Sequence, residues 1–125
     1  MWFRNDLRIT DNEALYEASS NQSCLPIFIL DSEYLKLETT SDFHLSFLND
    51  ALIDLNNNLK NKFNTRLNLY NGNTIQVLNF LISKYKINSI YSNKIFKGKF
   101  FNNLDNKICS LLEEKRVDWI EKNQF

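Results

Sequence analysis

Short apolar runs alternate along the chain with longer stretches of helical period, the pattern of strands and helices taking turns. Leu25 to Leu30 (Leu-Pro-Ile-Phe-Ile-Leu) is a nearly unbroken apolar run, as expected of a parallel strand covered on both faces. Leu48, Leu52, Leu55 and Leu59 recur at spacings of 4, 3 and 4, which puts them on one face of a helix that Ser41 can cap. Leu67 to Tyr70 reads as a third strand, and Thr74 then caps a helix carrying Leu78, Leu81, Ile82 and Tyr85. Ile90-Tyr91 marks a fourth strand. A last helix places Phe101, Leu104, Ile108, Leu111 and Leu112 on one side before a fifth strand at Val117 to Ile120.

The first strand is short, because only Met1-Trp2-Phe3 precede a polar turn, whereas a central strand usually runs ~5 residues. Its start is expected to be clipped. Thr10 or Asp11 can cap the helix that follows, with Glu13 and Glu17 favourable in its first turns. The expectation is one α/β domain over residues 1–125, with five parallel strands, four helices on both faces and a doubly wound order 3-2-1-4-5. In that order ligands lie beyond the carboxyl ends of strands one and four. The loops facing that crevice are Arg4 to Arg8 and Asn93 to Lys99, with Asp31 nearby at the end of strand two.

Composition narrows the function classes. Fifteen basic residues cancel 15 acidic ones, so no overall field draws the chain to nucleic acid or an anionic membrane. Cys24 and Cys109 lie far apart with no Cys-x-x-Cys, which argues against a disulfide framework or a metal site and fits a reducing, cytoplasmic setting. No apolar run approaches the ~20 residues of a membrane helix. The chain holds two glycines, Gly72 and Gly98, and no Gly-x-Gly-x-x-Gly or Gly-x-x-x-x-Gly-Lys, so the turns that admit a pyrophosphate are missing. A Gly-x-Ser-x-Gly elbow is missing too. Asn71 stands where a phospho-receiver would end its third strand with an acid.

Arg4, Asp6 and Arg8 alternate in sign over a tight turn, fit either for a scaffold ion-pair network or for binding a ligand. His44 is the one histidine, without a carboxylate or nucleophile at a recognisable spacing. Lys94, Lys97 and Lys99 interleave with Phe96, Phe100 and Phe101, a mixture that can bind phosphate, stack a planar ring, or turn its rings into the core.

The run Trp2-Phe3-Arg4-Asn5-Asp6-Leu7-Arg8 with Thr10-Asp11-Asn12-Glu13 resembles the opening of the DNA photolyase and cryptochrome family. The resemblance covers nearly the whole chain. Pro26 to Asp31 resembles the family's second strand, and Ser41-x-x-His44-x-x-Phe47 its next helix. Tyr91-Ser92-Asn93 resembles the exit of strand four in a bacterial branch, and Asp105 the Asp of that branch's Arg-Asp pair, with Leu104 in place of the Arg. Trp119 to Phe125 is similar to the Trp-x-Glu-x-x-Gln-x that precedes a Gly-Val-x-Arg run.

The resemblance implies a Rossmann-like amino-terminal domain that can hold a light-harvesting antenna, folate or deazaflavin. Arg4, Arg8, Asp31, His44, Asn93, Lys94, Phe100 and Phe101 are its candidate pocket residues. It also implies that FAD, the pocket for a flipped pyrimidine dimer and the DNA contacts belong to a helical domain downstream, absent from these 125 residues. Catalysis by this segment alone is not expected. The alternatives are a free-standing nucleotide- or partner-binding α/β module and an inactive fragment.

Overall fold

The structure, a computed structural model, describes residues 1–20, 23–35, 42–95 and 98–123, and within them omits the side chains of residues 35, 42–44 and 98–100. Its elements are β1 (Trp2–Phe3), α1 (Glu13–Ser19), β2 (Ile27–Asp31), α2 (Ser32–Leu35), α3 (Asp42–Phe63), β3 (Asn68–Gly72), α4 (Thr74–Tyr85), β4 (Ser89–Asn93), α5 (Gly98–Lys115) and β5 (Asp118–Lys122). The five strands and the four longer helices fall where the periodicity predicts them. The short α2, one turn after β2, is an addition that periodicity could not show.

Alternation along the strands explains why helices cover both faces. Met1, Phe3 and Phe28 point to one side, into a core closed by Leu15 and Ala18 of α1 and by Leu55 and Leu59 of α3. Trp2, Ile27 and Ile29 point to the other, against Leu78, Leu81 and Ile82 of α4 and Ile108 and Leu112 of α5. Phe3, Leu59, Leu81 and Ile108 are fully buried, one or more from each layer.

All pairings are parallel, but the hydrogen-bonded ladder differs from the single five-stranded sheet expected. It forms a three-stranded sheet β1-β2-β3 and a two-stranded sheet β4-β5. With two residues, β1 offers too few backbone groups to carry a ladder on both edges. Its pairs, Trp2 with Ile27 and Phe3 with Phe28, all lie on the β2 side. Toward the second sheet the join is made by packing and side chains: β1 packs on β4, the rings of Trp2 and of Trp119 on β5 sit 6.1 Å apart, and Asn93 of β4 donates to the Asp6 carboxylate.

Helix ends show where local rules held and where they slipped. The caps of α1 and α4 are Asn12 and Asn73, whose side chains accept from the amides of Leu15 and Gln76 at 3.0 and 3.1 Å, rather than Asp11 or Thr10 and Thr74. Asp11 instead occupies a left-handed turn at φ 49°, and Thr74 is the first helical residue of α4. Ser41, expected to cap α3, lies outside the described residues. In this glycine-poor chain Lys86 and Arg116 follow α4 and α5 in the left-handed region, at φ 51° and 57°. No described helix is long and apolar enough to cross a membrane.

The α-amine of Met1 is buried, donates to the Leu25 carbonyl at 3.1 Å and lies 4.0 Å from the Cys24 sulfur. Burial lowers its pKa from the ordinary 8.0, and the nearby thiol opposes this. The folded state thus disfavours a proton that the unfolded chain keeps. Stability is expected to rise with pH up to about 8 and to level off above it. Urea midpoints measured across that interval check this, and a flat profile would contradict a buried amine.

Candidate functional site

Two cavities flank β1. The larger, about 680 Å³, opens at the amino ends of the strands, lined by Cys24, Leu25, Leu81, Ser89 and others. The smaller, about 370 Å³, lies beyond their carboxyl ends, where a parallel sheet presents helix N-termini and loops. For that reason the smaller one is the candidate site.

The carboxyl ends of β1, β2 and β3 each lead to a polar group in its wall. Arg4 leaves β1, Asp31 ends β2, and Thr74 opens α4 just after β3. Aromatic and aliphatic side chains supply the rest: Trp2 from β1, Tyr34 from α2, Phe47 and Leu48 from α3, and Phe101 and Leu104 from α5. The rings of Tyr34 and Phe101 stand 5.4 Å apart at 48°, forming one wall. Phe47 is 70% exposed although it borders the cavity.

Arg4 is locked in place. Its guanidinium donates to both carboxylate oxygens of Asp105 on α5, at 2.8 and 3.2 Å, and lies 4.3 Å from the centre of the Trp2 ring. The rings of Phe101 and Trp119 are each 5.9 Å away. Its side chain is 3% exposed against 27% for Asp105, so the cation is the buried partner. Glu121 on β5 stands beside the pair. Burial raises its pKa from 4.5, Asp105 adds to the rise, and Arg4 and Lys94 oppose it.

Asp31 is saturated. One oxygen accepts from the amides of Glu33 and Tyr34 at 2.8 and 3.2 Å, capping α2. The other accepts from the Thr74 amide and hydroxyl at 3.1 and 2.5 Å, tying the first turn of α4 to the end of β2. A carboxylate offers about four acceptor positions, and all four are taken. Asp31 therefore shapes the cavity by holding two helices.

Of the residues expected from the sequence, the structure brings Arg4, Asp31 and Phe101 to this cavity. Arg8 and Asn93 are turned elsewhere. Arg8 donates to the Thr10 carbonyl at 3.1 Å, and its own carbonyl accepts from Asn12 at 2.9 Å. Asn93, 1% exposed, donates to Asn12 at 2.8 Å and to Asp6, stitching the end of β4 to the motif loop and α1. The second half of the motif thus works as a scaffold network. Lys94 is exposed, and its amide extends the β4-β5 ladder by donating to the Lys122 carbonyl at 2.7 Å. The side chains of His44, Lys99 and Phe100, and residues Phe96 and Lys97, lie outside the described residues.

Sequence reasoning missed Trp2, Tyr34 and Thr74 as wall residues, and saw Asp105 only through its resemblance to an Arg-Asp pair. The partner of Arg4 stands 101 positions away, and no local pattern signals such a pair. In the sequence Thr74 reads as a cap; the carboxylate it reaches, Asp31, is 43 positions earlier.

This arrangement suits a flat, largely uncharged ring system. Asp31 spends its hydrogen bonds on protein partners and Arg4 is paired with Asp105, while the aromatic walls offer stacking surface. The volume lies at the small end of the range for ligand cavities.

Comparison with known proteins matches residues 1–124 to the DNA photolyase family profile. Cryptochrome DASH, chloroplastic/mitochondrial, of Arabidopsis thaliana is 33% identical over 101 residues, covering 75% of this chain and 18% of its own length. Deoxyribodipyrimidine photo-lyase of Buchnera aphidicola subsp. Acyrthosiphon pisum (strain APS) is 33% identical over 99 residues, covering 74% of this chain and 20% of its own length. The chain thus spans about a fifth of the curated relatives it matches. Among solved structures, a class III photolyase from Agrobacterium tumefaciens shares the fold with a TM-score of 0.84 at 23% identity, over 98% of this chain and 24% of that one. An archaeal photolyase from Sulfolobus tokodaii, described with two FAD molecules and the implication of a novel light-harvesting cofactor, superposes with a TM-score of 0.81 at 30% identity, over 98% of this chain and 28% of that one.

Proposed function

We propose, for a chain that belongs to the DNA photolyase family, that its α/β domain holds a planar light-harvesting chromophore in the cavity beyond the carboxyl ends of β1 and β2. The chromophore would pass excitation to an FAD bound in a partner helical domain. That domain, not this one, would bind DNA and carry the redox chemistry of repair or blue-light signalling. The observation that carries the reading is the aromatic cavity itself: Trp2, Tyr34 and Phe101 around a locked Arg4, at the strand ends where doubly wound sheets take ligands. A bound ring would supply absorption at wavelengths the protein does not use. Tyr34, Phe101 and Trp2 would clamp its faces, while Asp31 and the Arg4–Asp105 pair keep those walls in position.

The site chemistry favours a flavin or deazaflavin ring over a folate. A pterin edge presents several donors that call for a buried carboxylate with open acceptors, and Asp31, the carboxylate that lines the cavity, has spent its own. The order β3-β2-β1-β4-β5 is part of the same proposal, supported by the packing of β1 on β4 and of Trp2 on Trp119. The two free cysteines, Cys24 and Cys109, suit a reducing compartment such as the cytoplasm.

Titrating the chain with a 5-deazaflavin, FAD, a reduced folate and ATP tests the reading. Trp2 borders the cavity, so a ring stacked there should quench tryptophan emission and shift its own absorbance, most strongly for the deazaflavin or FAD. A response to ATP alone would favour the nucleotide-binding module, and silence from all four would sink the chromophore site.

A further inference from the structure

We propose that Phe47 is a latch on the aromatic cavity: its side chain turns out of water and over a bound ring, and so sets the rate at which the ring leaves. The inference rests on the reading of that cavity as a chromophore site and adds to it the residue that governs release. Among the described residues, Phe47 is the most exposed of the large apolar side chains, at 70%, and it also lines the cavity. Tyr16, Ile53, Leu69, Phe80 and Tyr85 are exposed as well, but none of them borders this cavity. A lone exposed phenylalanine needs no explanation. One at the rim of an apolar cavity has a burial place within reach of a single side-chain rotation.

The packing of α3 confines the motion to the side chain. Leu48, Leu52, Leu55 and Leu59 pack into the core that α3 shares with β1 and α1, so the backbone under Phe47 is anchored. A helical phenylalanine has two common χ1 wells, and exchange between them needs no change of backbone. Ala51, one turn further along α3, lines the same cavity, and its small side chain leaves neighbouring space to a larger one. Tyr34 of α2 and Phe101 of α5 already supply one aromatic wall. Phe47 adds a face from α3.

The two rotamers differ in what a ring gives them. Over a water-filled cavity the inward rotamer removes little apolar area from water, and it gives up rotamer freedom. Against a bound ring it covers two apolar faces at once, its own and the ring's. That difference in interaction is what shifts the population inward. Because the side chain closes after the ring has entered, its contribution falls on dissociation and leaves association nearly unchanged.

Stopped-flow mixing of the full chain with a 5-deazaflavin and with FAD measures both rates in the wild type, Phe47→Ala and Phe47→Tyr. Phe47→Ala is expected to speed release about tenfold, the worth of one buried aromatic face less its ordering cost. Phe47→Tyr keeps the face and should release the ring at the wild-type rate. Urea midpoints of both variants should match the wild type, because the side chain they alter is exposed. In Phe47→Trp the added indole should be open to acrylamide quenching in the unliganded chain and shielded once the ring binds. If the wild type binds a ring and Phe47→Ala releases it within about twofold of the wild-type rate, the latch is overturned and the chromophore site stands. Affinity lost through slower association alone overturns the latch in the same way. A wild type that binds neither ring overturns both readings.

Discussion

Asp105→Ala is expected to destabilise the protein by about 3 kcal/mol, because it strands a guanidinium that the fold has removed from water. An exposed ion pair is worth little, about 0–1 kcal/mol. Here the geometry is bidentate and Arg4 is 3% exposed, so removing its partner leaves a buried, uncompensated charge. The cost stays at the lower end of the range for broken buried pairs for two reasons. Asp105 is 27% exposed, which lets water replace part of the lost contact, and the Trp2 face 4.3 Å from the guanidinium retains some attraction for the cation. Replacing both partners, Arg4→Met with Asp105→Leu, should recover most of the loss, since a packed apolar pair costs nothing in unpaired charge. Urea denaturation of the two single variants and the double variant closes the cycle. A loss below about 1 kcal/mol for Asp105→Ala would show that the pair behaves like a surface pair. The double variant should fold yet bind the ring less well, because Arg4 is also part of the cavity wall.

Asp31→Ala should be at least as damaging, by about 3–4 kcal/mol, because one buried carboxylate caps α2 and holds the first residue of α4. Four donors lose their acceptor together: the amides of Glu33 and Tyr34, and the amide and hydroxyl of Thr74. Thr74 is 2% exposed, so water cannot readily take over its two bonds. Asp31→Asn should fall between the extremes, since the amide keeps one acceptor oxygen and turns its NH₂ toward one set of donors. Thr74→Ala, which removes only the hydroxyl, should cost about 1 kcal/mol. Denaturant midpoints rank the three variants. If Asp31→Ala cost no more than Thr74→Ala, the carboxylate would not be bridging α2 and α4. Because Tyr34 lies in α2, the same substitution should loosen the cavity's aromatic wall and weaken ring binding alongside stability.

Both residues illustrate what could be read in advance. Arg4 and Asp31 were visible as charges at strand ends, the positions where a doubly wound sheet gathers ligand chemistry. Their partners were not. Arg4 finds Asp105 101 residues later, and Asp31 finds Thr74 43 residues later, distances over which spacing carries no information. Arg8 and Asn93 failed in the opposite sense. They sit in the right loops, yet one helps anchor the turn and the other bridges Asn12 and Asp6 beneath it. A loop residue can point to either side of the chain, and burial against α1 settled which.

The helix starts were off by one or two residues for a related reason. Thr10, Asp11 and Asn12 all carry side chains able to cap, as do Asn73 and Thr74, and only the fold of the preceding turn selects one. The seam in the sheet was half legible. A first strand of Trp2 and Phe3 looked too short for its central place, but that this breaks the ladder between β1 and β4 and leaves a groove depends on where β2 and β4 hold their edges.

By itself the sequence determined what repeats along the chain: alternating strands and helices, apolar residues for two helix layers, and the Trp2 to Arg8 run that marks the family. These are local or periodic properties, set by neighbours within a turn or a strand. Tertiary structure alone decided which charge meets which and which loop side chains face the cavity. It also decided whether five strands share one ladder. Those outcomes depend on groups brought together only when both helix layers close on the sheet, where burial makes each unpaired charge or amide costly enough to select a single arrangement.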